Sequence, residues 1–462
     1  MNTVKWLTAL LLCGAVGSQA AEPAKPAKAK AQKFAGVKPD TEQPSKFSWG
    51  GDIRLRSVYF DNIPYPFGAE ARGGVNSFQR YRTRLWGDYQ AADDLNIHGR
   101  LVNEFRTFQN PNNNSWNALD EIVIDNLYVD WALAPDWTVR AGRQDLIYGT
   151  GKLILDGTPK DGSRTIYFDA VKATYTGFED TTVDVLGMYT KAEDPLAIHS
   201  EERDLVGKTG GYYGGAEAGG GVYIKNKSVE KLPYEAYYLY KAKEEAWLDA
   251  MVTPNVIRDD EDRHTVGTRL MPKLSDSIDG NFELAYQAGD NVNAYMIDAM
   301  VSWHVPDCPI KSTLGLGWYH LSGDDPSTAD DEGWNPLWAR WPQYSELYVY
   351  GFDTEGAGRW SNLSMPHVDW TFHPHEKVKT SLLLGYMFAP ERNTAAGGGG
   401  GDERGFLATL WNRFTLNENI LSEGDKLSGH VLFEAVDPGN YYTADQRNNL
   451  ALFARVELNY SF

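Results

Sequence analysis

Cysteine is nearly absent: Cys13 and Cys308 are the only two in 462 residues. Cys13 falls in an N-terminal stretch that reads as removable. Cys308 is then left alone, and an intramolecular disulfide is excluded. Its P-D-C-P-I setting reads as a turn. Long hydrophobic runs are missing too. Beyond the first twenty residues no apolar stretch approaches the roughly 20 residues of a membrane-spanning helix, and mean hydropathy is -0.46. Surplus positive charge is also lacking, since the formal net charge is -19. That balance argues against a nucleic-acid partner. Catalytic signatures do not occur: there is no G-x-S-x-G and no H-E-x-x-H. The glycines of Gly397–Gly401, followed by Asp402, lack the strand–GK[ST]–helix setting of a phosphate loop and read as a flexible loop tip. Neither an enzyme nor a cofactor is expected.

What is abundant points elsewhere. Aromatic residues make up 13% of the chain, with 26 Tyr and 15 Trp, and such side chains collect where a greasy surface meets water. The N-terminus has the layout of a secretory signal: Lys5, an apolar core over Trp6–Val16, and the small residues of Ser18-Gln19-Ala20 before a cut after Ala20. Leu12 stands where a lipoprotein signal would carry a small residue before Cys13. Residues 21–46 are rich in Ala, Lys and Pro and read as a disordered periplasmic lead-in. The alternative is a weak tether to anionic cell-wall material through Lys25, Lys28, Lys30 and Lys33.

Residues 47–462 are patterned with a period of two. The last thirteen residues show it best. Leu450, Leu452, Ala454, Val456, Leu458, Tyr460 and Phe462 alternate, from Phe453 on, with Phe453, Arg455, Glu457, Asn459 and Ser461. A strand with two unlike faces, ending on an aromatic residue, fits the closing strand of a barrel whose greasy face meets lipid. It also fits the last strand of a soluble sandwich, so the rest of the chain decides. Seventeen further strands are expected: Phe47–Phe60, Phe78–Gln90, Leu95–Phe108, Glu121–Leu133, Trp137–Gln144, Thr165–Thr176, Thr181–Thr190, Gly220–Ser228, Pro233–Lys243, Arg263–Leu274, Ile278–Gly289, Asn293–Val305, Ile310–Ser322, Leu363–His373, Lys377–Ala389, Gly405–Thr415 and Leu427–Val436. Short turns follow even-numbered strands, as at Ala91–Asp94 and Pro374–Glu376. Long polar loops follow most odd-numbered ones, as at Asp61–Ser77, Asp145–Arg164, Lys191–Gly219 and Gly323–Asn362. Asp290–Val292 is short where a loop is due, and Leu416–Lys426 is long for a turn. The pattern predicts an all-β fold, a transmembrane antiparallel up-and-down β-barrel of about 18 strands, with both termini in the periplasm. In lipid a backbone must satisfy every amide, and a closed barrel does so without leaving an edge; a barrel of this size also has room for an aqueous channel.

The faces that would turn inward are basic on the first six strands. They carry Arg54, Arg56, Arg80, Arg82, Arg84, Arg100, Arg106, Arg140 and Lys172, against Asp52, Asp88, Glu104 and Asp130. A ladder of always-charged guanidinium groups favours anions and can pass a carboxylate from site to site. The same arginines could equally pair with inward acids and brace the wall. The outer loops are acidic at Asp259-Asp260-Glu261-Asp262, Asp324-Asp325 and Asp330-Asp331-Glu332. These read as solvated charge or as sites for divalent cations that bridge lipopolysaccharide. Trp334, Trp338, Trp341, Tyr344, Tyr348 and Tyr350 crowd one loop, where they could stack on sugar rings, plug the pore or simply pack. His367, His373 and His375 are expected together at a turn, without metal-ligand spacing.

The run N-L-Y-V-D-W-A-L-A-P-D-W-T-V-R-A-G-R-Q-D-L at Asn126–Leu146 resembles the alginate-export family of outer-membrane barrels. S-R-T-I-Y-F-D-A-V-K at Ser163–Lys172, E-L-A-Y-Q-A-G-D at Glu283–Asp290 and L-S-G-D-D at Leu321–Asp325 agree with it. The resemblance implies an eighteen-stranded barrel with an arginine-lined constriction that passes an anionic polysaccharide. Arg143 matches the arginine of G-R-Q, and Arg140 the basic position before it. An odd step separates these two, so turning both inward needs a bulge near Gly142. The expected function is a passive channel for anionic polysaccharide, oligosaccharide or other anionic solutes. Its pore lining is drawn from Arg54, Arg56, Arg80, Arg82, Arg84, Arg100, Arg140 and Arg143, and its surroundings are outer-membrane lipid and lipopolysaccharide. The alternatives are a general porin for small solutes and a plugged structural or adhesive protein. No motif names a periplasmic partner.

Overall fold

The computed structural model describes residues 46–64, 75–110, 117–119, 121–155, 167–191, 194–200, 216–243, 246–247, 257–258, 261–339, 343–347, 361–394 and 398–462. The expected signal segment, and residues 21–45 of the lead-in, lie outside these. Eighteen long strands form one sheet: β1 (Phe47–Asp61), β2 (Asn76–Ala92), β3 (Leu95–Asn110), β4 (Glu121–Ala134), β5 (Trp137–Gln144), β6 (Phe168–Phe178), β7 (Thr181–Thr190), β8 (Glu217–Asn226), β9 (Tyr234–Lys243), β10 (Glu261–Leu270), β11 (Ile278–Gly289), β12 (Val292–His304), β13 (Thr313–Leu321), β14 (Leu363–His375), β15 (Val378–Phe388), β16 (Glu403–Glu418), β17 (Lys426–Pro438) and β18 (Ala451–Ser461). Each pairs antiparallel with the next, and β18 pairs antiparallel with β1, from Asp52 opposite Ser461 to Asp61 opposite Leu452. The sheet is therefore a closed up-and-down barrel. A further short strand, Ala197–Ser200, joins it beside the loop end of β4.

All eighteen expected strands are present, with ends shifted by a few residues. Both irregular connections are there as well. Two residues, Asp290 and Asn291, join β11 to β12 at the loop end, and residues 419–425 form a long connection at the turn end.

The alternation of the sequence becomes the two faces of the wall. On β18, Leu452, Val456 and Leu458 are 38%, 46% and 36% exposed, whereas Arg455 is 2% exposed. On β1, Ile53 and Leu55 face out while Asp52, Arg54 and Arg56 are buried inside. Aromatic residues border the outward face. Phe47, Trp49, Trp131, Trp137, Phe178 and Trp303 lie exposed near the turn end, and Tyr189, Tyr286, Tyr295, Trp318, Tyr386 and Phe388 nearer the loop end. Two such belts around an apolar band are the signature of a sheet that spans a bilayer. Among the described residues no helix is long and apolar enough to cross a membrane.

The largest apolar cluster lies within the barrel. Parts of two loops fold inward and meet there. Ile154–Leu155, after β5, pairs in parallel with Trp338–Ala339, after β13. Tyr148, Leu153, Ile154, Trp334, Leu337, Trp338, Tyr344 and Leu347 are buried against inward side chains such as Met188, Tyr223, Leu239 and Met296. Gly219 on β8 makes room for this contact: a Cβ there would stand 2.4 Å from the Trp338 ring.

Candidate pore lining and constriction

The most basic part of the inner wall is built on β1, β2 and β3, with β18 beside them. Register sets it out: Arg54 lies opposite Arg82, Arg56 opposite Arg80 and Arg80 opposite Arg106, while Asp52 lies opposite Arg84 and Glu104 opposite Arg82. Some ion pairs join directly opposed residues and others run along diagonals. Arg82 and Arg84 both reach Asp52, at 2.8 and 2.5 Å. Arg54, Arg80 and Arg106 reach Glu104 at 3.4, 2.9 and 3.5 Å. Arg56 and Arg54 reach Glu457 at 2.5 and 3.8 Å. Among the described residues, six guanidinium groups thus share three carboxylates. Arg54, Arg56 and Arg80 are 2% exposed and Arg82 is 5% exposed. Inward acids therefore brace these arginines, and among the described residues of this patch the guanidinium groups outnumber the carboxylates they pair with.

Arg100 and Arg140 also lie on the inner face, but each in balance with acids. Arg100 binds Asp125 and Asp145, both at 2.9 Å. Arg140 is bidentate to Asp130 at 2.7 Å and lies 4.0 Å over the Tyr128 ring. The bulge expected beside Gly142 is not there. The register from Leu127–Arg143 to Asp130–Arg140 is unbroken, and the bulge falls on β4 at Asp125, between Arg100–Asn126 and Leu101–Ile124. It turns Asp125 toward Arg100. Gly142 instead takes φ 125°, and a Cβ there would stand 2.3 Å from the Leu127 carbonyl oxygen, so only glycine fits.

Arg143 occupies a different setting. It is fully buried where β5 leaves the wall, bidentate to Asp169 at 2.8 and 3.0 Å. It also donates to Asp194 at 2.7 Å and to the Ile124 carbonyl at 3.2 Å, under the Tyr167 ring at 4.2 Å. These contacts join β4, β6 and the loop after β7, and the guanidinium acts there as a staple of the wall.

The inward loops are held by polar anchors that periodicity does not reveal. Lys152 donates to Asp298 at 2.8 Å and to Thr150 at 2.6 Å. The Tyr344 hydroxyl donates to the other oxygen of Asp298 at 2.9 Å. Glu434 on β17 accepts the Glu346 and Leu347 amides at 2.9 and 3.1 Å and the Ser345 hydroxyl at 2.7 Å. Glu346 then pairs with Arg455 at 2.7 Å. Lys241 donates to the Leu337 carbonyl, and Gln287 exchanges two hydrogen bonds with the Asn335 backbone. Burial pushes the hydroxyls of Tyr148 and Tyr344 well above the ordinary tyrosine range, and the carboxylates of Asp184 and Asp298 reinforce the shift, so both stay protonated donors.

Other sequence candidates resolve as follows. Trp334, Trp338 and Tyr344 pack inside the barrel, which leaves no open sugar-stacking platform at these three; Trp341, Tyr348 and Tyr350 lie outside the described residues. His367 is not at the turn. It sits on the inner face of β14, 3.2 Å from Asp369 and beside the Tyr344 ring, because five residues of strand lie between it and His373. The acids of the β13–β14 loop bind their own backbone: Asp324 accepts from the Glu332 amide and Asp325 from the Ser327 amide. Asp331 also pairs with Arg263 at 2.5 Å. Among the described residues no group of three or more His, Cys, Asp or Glu is poised to hold a metal. Asp259 and Asp260 lie outside them.

The model of the family described as "Alginate export" matches residues 45–395. No curated protein matches the chain. Several solved structures share its fold. Pseudomonas aeruginosa OpdK, solved with vanillate, has 10% identity and a TM-score of 0.55, over 90% of this chain and 98% of its own. OccK5 (OpdH) of the same organism has 10% identity and a TM-score of 0.51 over the same shares. Acinetobacter baumannii OccAB4 has 11% identity and a TM-score of 0.54, again over 90% and 98%. With lipid-facing belts, a closed eighteen-stranded wall and a family match over most of its length, the chain belongs to the alginate export family and is a passive channel of the bacterial outer membrane.

Proposed function

We propose that the channel favours anionic solutes, and that the arginine wall of β1–β3 supplies the preference. One observation carries this reading: among the described residues, six guanidinium groups share three carboxylates on one side of the lumen. The surplus positive field attracts a carboxylate-bearing sugar or oligosaccharide. Each arginine is already engaged by an acid, which keeps any single contact with solute weak enough for release. In this reading both termini lie in the periplasm, and the long loops face lipopolysaccharide. Arg54, Arg56, Arg80, Arg82 and Arg84 make the selective wall, Arg100 and Arg140 continue it at lower net charge, and Arg143 supports the wall beside it.

A second reading, a porin for small solutes, draws on the two inward loops. Their buried aromatic and aliphatic side chains occupy part of the bore and would admit monomers sooner than polymer. Purified protein in planar bilayers under a potassium chloride gradient tests the first reading. The expected reversal potential has the sign of anion preference, and cation preference overturns it. Current block by uronate monomers compared with longer uronate oligomers separates the two readings.

A further inference from the structure

Residues 419–425, which join β16 to β17 at the turn end, differ from the short turns in what they expose. Leu421 is 81% exposed and Ile420 41%, and Leu416, where the pairing of β16 with β17 shifts, is 50% exposed. Apolar side chains scattered singly over a surface are ordinary. Here three stand close together, on a connection whose own hydrogen bonds keep it from folding them away.

One carboxylate ties the connection down. Asp425 is buried and accepts the Ile420, Leu421 and Ser422 amides at 2.5, 2.6 and 2.8 Å. It also accepts the Tyr460 hydroxyl at 2.7 Å. The Asn419 amide donates to the Asp425 carbonyl at 2.9 Å, and the Asn419 side-chain oxygen accepts the Gly424 amide at 2.7 Å. Asn419 at φ 56° and Gly424 at φ 94° take the left-handed backbone that lets the chain reverse here. Charge-assisted bonds from three successive amides fix the backbone that carries Ile420 and Leu421, so both side chains stay at the surface.

Tyr460 shows which side of the wall holds the connection. It continues the outward row of β18 after Leu452, Val456 and Leu458, and it pairs in register with Leu427 and with Ile53. Its ring lies 5.8 Å from that of Phe462, which lies 6.0 Å from that of Trp49 in the turn-end aromatic belt. Asp425 therefore holds the connection from the greasy side of the wall. The exposed apolar side chains prolong the belt past the strand ends. Water is a poor solvent for such a surface, and the bilayer interface beside it is a good one. We propose that Leu416, Ile420 and Leu421 form a lipid-interface anchor, with Asp425 as the residue that positions it. Ile420 and Leu421 enter the boundary between headgroups and acyl chains in the leaflet at the turn end.

The test is spin labelling of the barrel in liposomes of phosphatidylethanolamine and phosphatidylglycerol. Cys308 is the free cysteine among the described residues, so Cys308→Ser gives the background. Leu421→Cys, Val456→Cys and Glu376→Cys then each carry one nitroxide. Collisions with oxygen, which dissolves in lipid, are compared with collisions with a water-soluble nickel chelate. The label at 456, on the outward face, marks the bilayer, and the label at 376, on an exposed short turn, marks water. The label at 421 is expected about 5 Å below the headgroup boundary. Its oxygen-to-nickel ratio should lie several-fold above that at 376 and below that at 456. Asp425→Ala should narrow the lines of the 421 label and move its ratio toward the value at 376. Tyr460→Phe removes one contact to Asp425, should act in the same direction more weakly, and serves if the Ala variant does not insert. A ratio at 421 equal to that at 376 overturns the anchor. A label shielded from both reagents overturns it too, since that means contact with another protein surface. Unchanged lines and ratio in the Asp425 and Tyr460 variants would overturn the positioning role of Asp425.

Discussion

Asp52 offers a sharp test of the arginine wall, because it holds Arg82 at 2.8 Å and Arg84 at 2.5 Å. Asp52→Asn removes one negative charge from a wall already in positive surplus, and Arg82→Gln removes one positive charge from the same place. An ion passing about 6 Å away through water feels a unit charge by about 0.7 kcal/mol, roughly threefold in local occupancy. Where the lumen is enclosed and the effective dielectric nearer 20, the same charge is worth about 3 kcal/mol. The two variants should therefore move the reversal potential in a salt gradient in opposite directions, Asp52→Asn toward stronger anion preference and Arg82→Gln toward weaker. Both break a buried ion pair, at a structural cost of about 3–5 kcal/mol. Because that cost is common to both, a loosened wall would shift the two potentials in the same direction. Shifts of equal sign, or no shift in either, would refute the placement of this wall along the conduction path.

Glu434→Gln replaces with an amide the carboxyl that accepts from the Glu346 and Leu347 amides and the Ser345 hydroxyl, hydrogen bonds worth roughly 0.5–1.5 kcal/mol each. It should release the β13–β14 loop and raise conductance and open-channel noise; an unchanged single-channel trace would mean the loop is held elsewhere. Arg143→Met leaves Asp169 and Asp194 without their shared cation and should lower barrel stability by about 3–5 kcal/mol in urea unfolding from micelles, with little change in ion preference. Asp425 lies in the connection before β17. Burial would raise its carboxyl, but the Tyr460 hydroxyl and the amides of Ile420, Leu421 and Ser422 outweigh that and hold it well below the usual carboxylate range. A depressed carboxyl stabilises the fold above its unfolded value near pH 4 and loses that contribution only as pH falls through the folded value. The stability gap between wild type and Asp425→Asn should thus stay constant from pH 7 to about 5 and narrow below about pH 4. A gap that narrows near neutrality would refute the assignment.

The strands were legible because lipid and water impose opposite demands on alternate residues. Ile53, Leu55 and Leu85 fall out of step with Arg54, Arg56 and Arg84 whatever the register. The inward loops were not legible in the same way. Tyr148 and Tyr344 carry no period of two, and their partners Asp184 and Asp298 lie on distant strands. Glu434 caps an amide 88 residues earlier in the chain, and nothing near either residue announces the contact. Arg143 stood out through its G-R-Q setting, yet its surroundings depend on Asp194, which a separate loop delivers.

The arginine wall lies between these cases. The sequence shows which residues face inward, but which guanidinium meets which carboxylate depends on register, and register follows from closure of the sheet. Arg56 and Glu457 lie 401 residues apart and touch only because β18 returns to β1. An open sheet of the same strands would leave Glu457 at one edge and Arg56 at the other, and its basic face would be more positive still. Closure therefore sets the charge of the lumen as well as satisfying the backbone in lipid. A solute passing β1–β3 meets a field tempered by an acid from the far end of the chain. Glu457→Gln should consequently strengthen anion preference much as Asp52→Asn does, and equal reversal potentials in Glu457→Gln and wild type would break the link drawn here between closure and selectivity.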